Sequence, residues 1–369
     1  MERAIRYTPE DPLLMIPGPT PVSPGVAAAL AAPVRGHATA EVARTLDRIR
    51  AGLRLVTGAP TADVYILPGS GTLAMETAVV NHVAPGERVI VVNHGYFGDR
   101  FAEICVAHGI EVTQLSAPWG QALDPAALAR AVEHGGPPAL VMVTHVDTST
   151  GTMAPVGELA AIARAAGAMV LLDGVCATAG VPEELDAWGV DLLVTASQKA
   201  LAVPPGLAVI VASAAARERR QGRPVVPGYY MDLSRWDAAM AGSAYFATHA
   251  TTLLRGLEVS LEEILAEGLP GRYERHRRVA AHARAAFAGL GMSPLTEARS
   301  LAPTLSVLAL PAGVDDTELR GRLLRSGVLV AGGIGPFAGR AIRVGHMGTV
   351  AESEVDLLVA AVGEALASR

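Results

Sequence analysis

Two apolar runs decide the fold: Ala168-Met169-Val170-Leu171-Leu172-Asp173-Gly174 and Asp191-Leu192-Leu193-Val194-Thr195-Ala196-Ser197-Gln198-Lys199. Each has the length and composition of a strand buried on both faces, and each runs straight into a polar residue. Working outward, similar runs at 63–67, 88–92, 110–115 and 139–144 alternate with segments of helical periodicity at 73–83, 96–108, 125–133 and 156–166. Helices of that length serve as crossover connections, so the expected class is α/β with a mostly parallel seven-stranded sheet flanked by helices, the seventh strand lying at 207–212. No clear long helix separates 191–195 from 207–212, which predicts a hairpin-like return carrying Lys199. Near Thr251 the character changes: 253–268 and 272–290 read as two long helices joined by a turn at Leu269-Pro270-Gly271. Segments 303–310, 317–325, 328–331, 341–344 and 352–367 then form a compact α+β module. The expected division is an N-terminal segment 1–17, a large domain 18–265 and a small C-terminal α+β domain 266–369.

Composition narrows the function. No apolar run in the 369 residues approaches the ~18 to 20 that cross a bilayer, and the opening residues lack a signal-peptide hydrophobic segment, so a cytoplasmic protein with no membrane partner is expected. Cys105 and Cys176 fit no disulfide framework and no redox or zinc spacing; both read as buried thiols, and no metal is expected. Net charge is -6 and the basic residues are scattered, which argues against nucleic acid and for a small-molecule partner. Of the 30 Lys plus Arg residues, one, Lys199, is lysine and the other 29 are arginine. A guanidinium stays protonated, whereas an ammonium can be tuned to lose its proton and attack a carbonyl.

Lys199 follows directly on a strand, at the carboxyl edge where open α/β sheets bind ligands. Asp173 ends another strand at the same edge, 26 residues earlier. Gly69-Ser70-Gly71-Thr72 lies between a strand and a helix, so its amides and hydroxyls can surround a phosphate at the helix amino terminus. An amine for an aldehyde, a carboxylate for a pyridine nitrogen, a phosphate cup and a stacking ring are what pyridoxal 5'-phosphate requires. Gly69, Gly71 and Ala74 also satisfy GxGxxA, the rival dinucleotide-binding reading. Against it, the next strand ends at Val92-Asn93 where a ribose-binding acid would stand. Gly333, Gly335 and Ala338 repeat the spacing without a following helix and read as a loop.

In order and spacing the chain resembles the class V, fold-type I aminotransferases, specifically the alanine-glyoxylate and serine-pyruvate group. The motifs run from Ile16-Pro17-Gly18-Pro19-Thr20 through Gly69-Ser70-Gly71-Thr72, Gly95-Tyr96-Phe97-Gly98, Thr144-His145, Ser149-Thr150-Gly151, Asp173, Ser197-Gln198-Lys199-Ala200 and Pro204-Pro205-Gly206 to Arg343-Val344-Gly345-His346-Met347-Gly348. The resemblance implies the fold-type I transferase fold, with Lys199 as the Schiff-base and proton-transfer lysine and Asp173 as partner of the pyridine nitrogen. It implies Ser70, Gly71, Thr72 and Gln198 around the phosphate, Phe97 stacked on the ring with Tyr96 as second candidate, and Thr148 near the ring oxygen. Tyr245 and Thr248 match residues that reach the phosphate from a neighbouring subunit, implying a homodimer with active sites at its interface. Arg343 matches the arginine that takes the substrate carboxylate, and Gly18 the backbone that approaches the substrate.

The implied reaction is ping-pong transamination between a small amino acid, alanine or serine, and a 2-oxo acid, glyoxylate or pyruvate. One departure bears on specificity, Ala38 following His37 where many relatives have a His-Arg pair; another, His249-Ala250-Thr251 in place of a Pro-rich turn after Tyr245, bears on the contacts between subunits. Other class V aminotransferases acting on aspartate, 2-aminoethylphosphonate or pyridoxamine would use the same cofactor residues. A cysteine desulfurase would need a thiol well after the lysine, and there is no cysteine beyond Cys176.

Overall fold

A computed structural model describes residues 7–223, 225–242 and 246–367. Seven strands make the main sheet: β1 (Asp63–Gly69), β2 (Arg88–Asn93), β3 (Glu111–Ser116), β4 (Leu140–Thr144), β5 (Met169–Asp173), β6 (Leu192–Ala196) and β7 (Gly206–Ala212). Their spatial order is β1-β7-β6-β5-β4-β2-β3. The pairs β2/β3, β2/β4, β4/β5 and β5/β6 are parallel, while β7 runs antiparallel to both β6 and β1. This is the expected mostly parallel sheet, with the return at Lys199 supplying the one reversed strand.

Period-two geometry explains why these strands read as continuous apolar runs. Ile90, Val92, Val141, Val143, Val170, Leu172 and Leu193 enter one apolar cluster; Val89, Val91, Leu140, Met142, Leu171 and Leu192 enter the other, on the opposite face. β4 and β6 are buried at every position, whereas the edge strand β3 keeps Glu111, Gln114 and Ser116 exposed. Solvated polar side chains on an edge blunt further strand pairing.

A third cluster holds the C-terminal module. There β8 (Leu305–Ala309), β9 (Ala331–Gly332) and β10 (Ala341–Gly345) form an antiparallel sheet with β10 in the middle. The run expected as one strand at 328–331 divides. Val328–Leu329 pairs parallel with Leu13–Leu14, and Ala331–Gly332 turns to β10. The two long helices are Thr251–Glu267 and Leu269–Ala288, separated by Gly268 alone. Pro270, read as part of a turn, instead starts the second helix, where the missing amide has no intrahelical partner to lose.

Candidate active site

The carboxyl ends of β5 and β6 place Asp173 and Lys199 at one edge. Beyond β6 the return is locked from within: Ser197 Oγ donates to the Pro204 carbonyl at 2.7 Å and accepts the Leu207 amide at 3.3 Å. Thr20 grips the same turn, its hydroxyl on the Lys199 carbonyl at 2.8 Å and its amide on the Gln198 carbonyl at 3.3 Å. Lys199 Nζ donates to the Pro17 carbonyl. Gly18 sits against that side chain at φ +107°, and a Cβ there would lie 2.6 Å from Lys199 Cδ and 2.7 Å from Nζ. Only glycine serves at such an approach.

Asp173 is 3% exposed, and its Oδ1 accepts the Val175 amide at 2.9 Å. Burial pushes its carboxyl up to about 7, with Asp147 and Glu183 pushing the same way; the Val175 amide and Lys199 pull it down. A cation facing this group would hold it ionised. Val175 also shapes the neighbouring cup, since a Cβ on Gly71 would stand 3.1 Å from Val175 Cγ2 and 3.4 Å from Ala196 Cβ. Gly71 opens the helix Gly71–His82, whose N-cap is Ser70, with Oγ 3.4 Å from the Leu73 amide. The first amides of an α-helix lack intrahelical acceptors, which makes such a terminus suited to an anion. Thr72 Oγ1 accepts Arg100 Nη1 at 3.2 Å.

Above the cup, Tyr96 and Phe97 begin the helix Tyr96–Ala107, their rings edge to face with centroids 5.5 Å apart. Tyr96 is 42% exposed and Phe97 half-buried. The turn before them is tied to Asp147, which is fully buried. Asp147 Oδ2 accepts the Phe97 amide at 2.9 Å, and its Oδ1 accepts the Ser149 amide at 2.8 Å and hydroxyl at 2.5 Å. Ser149 Oγ in turn accepts the Tyr96 amide at 3.0 Å. Burial raises the Asp147 carboxyl, opposed by these bonds from Ser149 and by the amides of Phe97 and Gly98. Gly95 is packed so closely on this pair that a Cβ would fall 2.3 Å from Ser149 Oγ.

Thr148, next in the same turn, is buried, and its Oγ1 meets Arg343 Nη1 at 3.5 Å. Arg343 comes from β10, and its Nε donates to the Gly332 carbonyl at 2.8 Å. Burial lowers its guanidinium pKa, while Cys176 and Asp147 act to raise it. Thus Gly18, Gln198, Lys199, Asp173, Gly71, Thr72, Phe97, Thr148 and Arg343 belong to one connected group of contacts. Tyr245 lies outside the described residues. Thr248 is exposed on the segment following it, where Phe246 and Ala247 pack on the face of the main sheet.

Asp147, Val175 and Arg100 were not among the candidates read from the sequence. Asp147-Thr148-Ser149 does carry a signal, an aspartate positioned to accept the amide two residues on. Val175 had none, being one more apolar residue. Cys176 is buried as expected; the groups acting on its thiol are Lys199, Asp173, Asp147 and Thr148. Behind Asp173, His145 Nδ1 lies 3.1 Å from Oε1 of the buried Glu183.

The family model described as Aminotransferase class-V matches residues 28–333. The chain belongs to the class V aminotransferases. An uncharacterized aminotransferase of Methanocaldococcus jannaschii is 34% identical over 362 residues, covering 96% of this chain and 92% of that one. The L-aspartate–glyoxylate aminotransferase of Paracoccus denitrificans is 31% identical, with coverage of 94% and 88%. The crystal structure of an alanine–glyoxylate aminotransferase from Nostoc sp. superposes with a TM-score of 0.93 at 33% identity, covering 96% and 95%.

As a class V aminotransferase the chain is a pyridoxal-phosphate-dependent transaminase of the alanine-glyoxylate group. The residues present fit that cofactor. Gly18 and Gly71 leave open the volume a side chain would fill beside Lys199 and at the helix terminus. A buried amide oxygen of Gln198 has no partner among the described residues, and Asp173 is a buried carboxylate suited to a cationic ring nitrogen. Among the described residues no helix is long and apolar enough to cross a membrane, and no cluster of His, Cys, Asp and Glu could hold a metal.

Proposed function

We propose that this transaminase moves the amino group of alanine or serine to glyoxylate or pyruvate in a ping-pong cycle. The observation that carries the reading is the single fork of Arg343, anchored by Gly332 and Thr148 on the Lys199 side of the site. In this reading one arginine serves the one carboxylate of a small amino acid such as alanine or serine. Pyridoxal phosphate, when bound, supplies the electron sink that lets the substrate's Cα–H bond break. Arg343 takes the substrate carboxylate, and in doing so turns the Cα–H bond toward Lys199. Lys199 Nζ carries the proton, Asp173 keeps its negative charge opposite the ring nitrogen, and Thr148 sits beside the ring oxygen. Ser70, Gly71, Thr72 and Gln198 receive the phosphate, and Phe97 covers the ring.

In this reading residues 18–265 hold the cofactor and 266–369 bring Arg343. The unit is a homodimer in which Tyr245 and Thr248 extend to the phosphate of the neighbouring site. The two relatives named for glyoxylate support that acceptor, but their names give different donors, alanine and aspartate. A panel of alanine, serine, aspartate, 2-aminoethylphosphonate and pyridoxamine against glyoxylate and pyruvate separates the readings. Alanine or serine is expected to exceed aspartate at least ~10-fold in kcat/KM, about what one missing charged clamp is worth. A preference for aspartate would overturn the donor assignment.

A further inference from the structure

Arg100 is not among the residues assigned above to cofactor or substrate, yet its fork joins two parts of the site. It lies one helical turn after Tyr96 and Phe97. Nη1 donates to Thr72 Oγ1 at 3.2 Å and Nη2 to the Tyr96 hydroxyl at 2.9 Å. The guanidinium carbon lies 5.1 Å from the centre of the Tyr96 ring and 5.7 Å from that of Phe97, within cation–π range of both. The nearby acids leave that fork turned inward. Asp99 is occupied by Asn93 Nδ2 and Gln114 Nε2, each at 2.7 Å. Glu103, 74% exposed, reaches only Nε, at 3.8 Å.

We infer that Arg100 is a positioning residue of the phosphate cup, acting through the Thr72 hydroxyl and held in place by the aromatic pair. The inference rests on the assignment of Thr72 to the phosphate. A threonine hydroxyl has one proton to donate and lone pairs that accept. With Arg100 donating to the oxygen, the hydroxyl proton is left to point outward, toward an acceptor at the helix terminus. A cationic donor on the same oxygen polarises that O–H and strengthens its bond to an anion. Contact with Tyr96 and Phe97 holds the guanidinium in place for that bond.

The test compares pyridoxal phosphate with pyridoxal, which has the same aldehyde and ring and no phosphate. Dissociation constants are read from the visible absorbance of the Lys199-linked cofactor, in wild type, Arg100→Gln, Thr72→Val and the double variant. Arg100→Gln is expected to weaken pyridoxal phosphate about 10- to 100-fold while leaving pyridoxal within about twofold. In the double variant the loss should be no greater than in Thr72→Val alone, the signature of action through one hydroxyl. Arg100→Lys keeps a charge but not the fork and serves if the glutamine variant does not fold; it should show a smaller loss, again confined to the phosphorylated ligand. Equal weakening of both ligands, or unchanged affinity for pyridoxal phosphate, overturns the role of Arg100. Failure of the wild-type chain to develop the absorbance overturns the cofactor assignment itself.

Discussion

In the proposed reading much of the chemistry rests on one side chain, Asp173. Burial disfavours its charge and pushes its carboxyl from the ordinary 3.8 up to about 7. A raised carboxylate pKa contributes stability that is complete below the unfolded value and is lost as pH rises through the folded one. Between about pH 4 and 8 the free protein is therefore progressively destabilised by ionising this group. Asparagine keeps the acceptor for the Val175 amide and never ionises. Cofactor-free Asp173→Asn is expected to melt with wild type near pH 4 and to exceed it by pH 8, by on the order of 3 kcal/mol. Binding reverses the order: wild type should lose affinity for pyridoxal phosphate as pH falls below 7 and the asparagine variant should not. Its kcat should drop about 100-fold or more, the loss of a buried charge partner. Asp173 and Lys199 were legible in the sequence because each closes an apolar run. For Asp147 the sequence shows only the local turn with Ser149; its bond to the Phe97 amide spans 50 residues and needed the fold.

Among the elements, those whose partners are dictated by burial were readable. Alternate residues of β2, β4 and β5 enter opposite cores, so the strands read as continuous apolar runs and stand where the runs do. Elements whose limits depend on distant partners were not. The run at 328–331 divides because Leu13–Leu14, at the other end of the chain, takes its first half. Pro270 misled because proline serves equally in a turn and at a helix start, and the choice is made by packing. The loop at Gly18 carries the element-scale prediction. Gly18→Ala combines a positive φ with a Cβ inside contact distance of Lys199, so folding stability should fall by about 1–3 kcal/mol. Cofactor attachment should weaken at least ~10-fold, read by denaturant melts and absorbance titration. Gly71→Ala, where the nearest atoms are 3.1 to 3.4 Å away, should be milder.

Over the whole molecule, function depends on parts that no periodicity connects. Thr148 and Arg343 stand 195 residues apart and meet only because the C-terminal sheet is set against the carboxyl edge of the main one. The flanking motif proposes Arg343 for the substrate; its anchoring by Gly332 is visible only in the fold. Arg343→Gln should leave the visible spectrum of the cofactor-bound protein intact and raise the amino-donor KM about 10- to 100-fold, the worth of a charge-assisted bidentate contact. Lys199, the chain's one lysine, is the residue on which the proposed reaction turns. Its most direct test is borohydride reduction of the cofactor-loaded protein followed by mass mapping of its peptides. The pyridoxyl mass should appear on the peptide containing Lys199 and on no other, and Lys199→Arg should be unlabelled, colourless and inactive. Label on another peptide, or an arginine variant that still transfers amino groups at the wild-type rate, would contradict it.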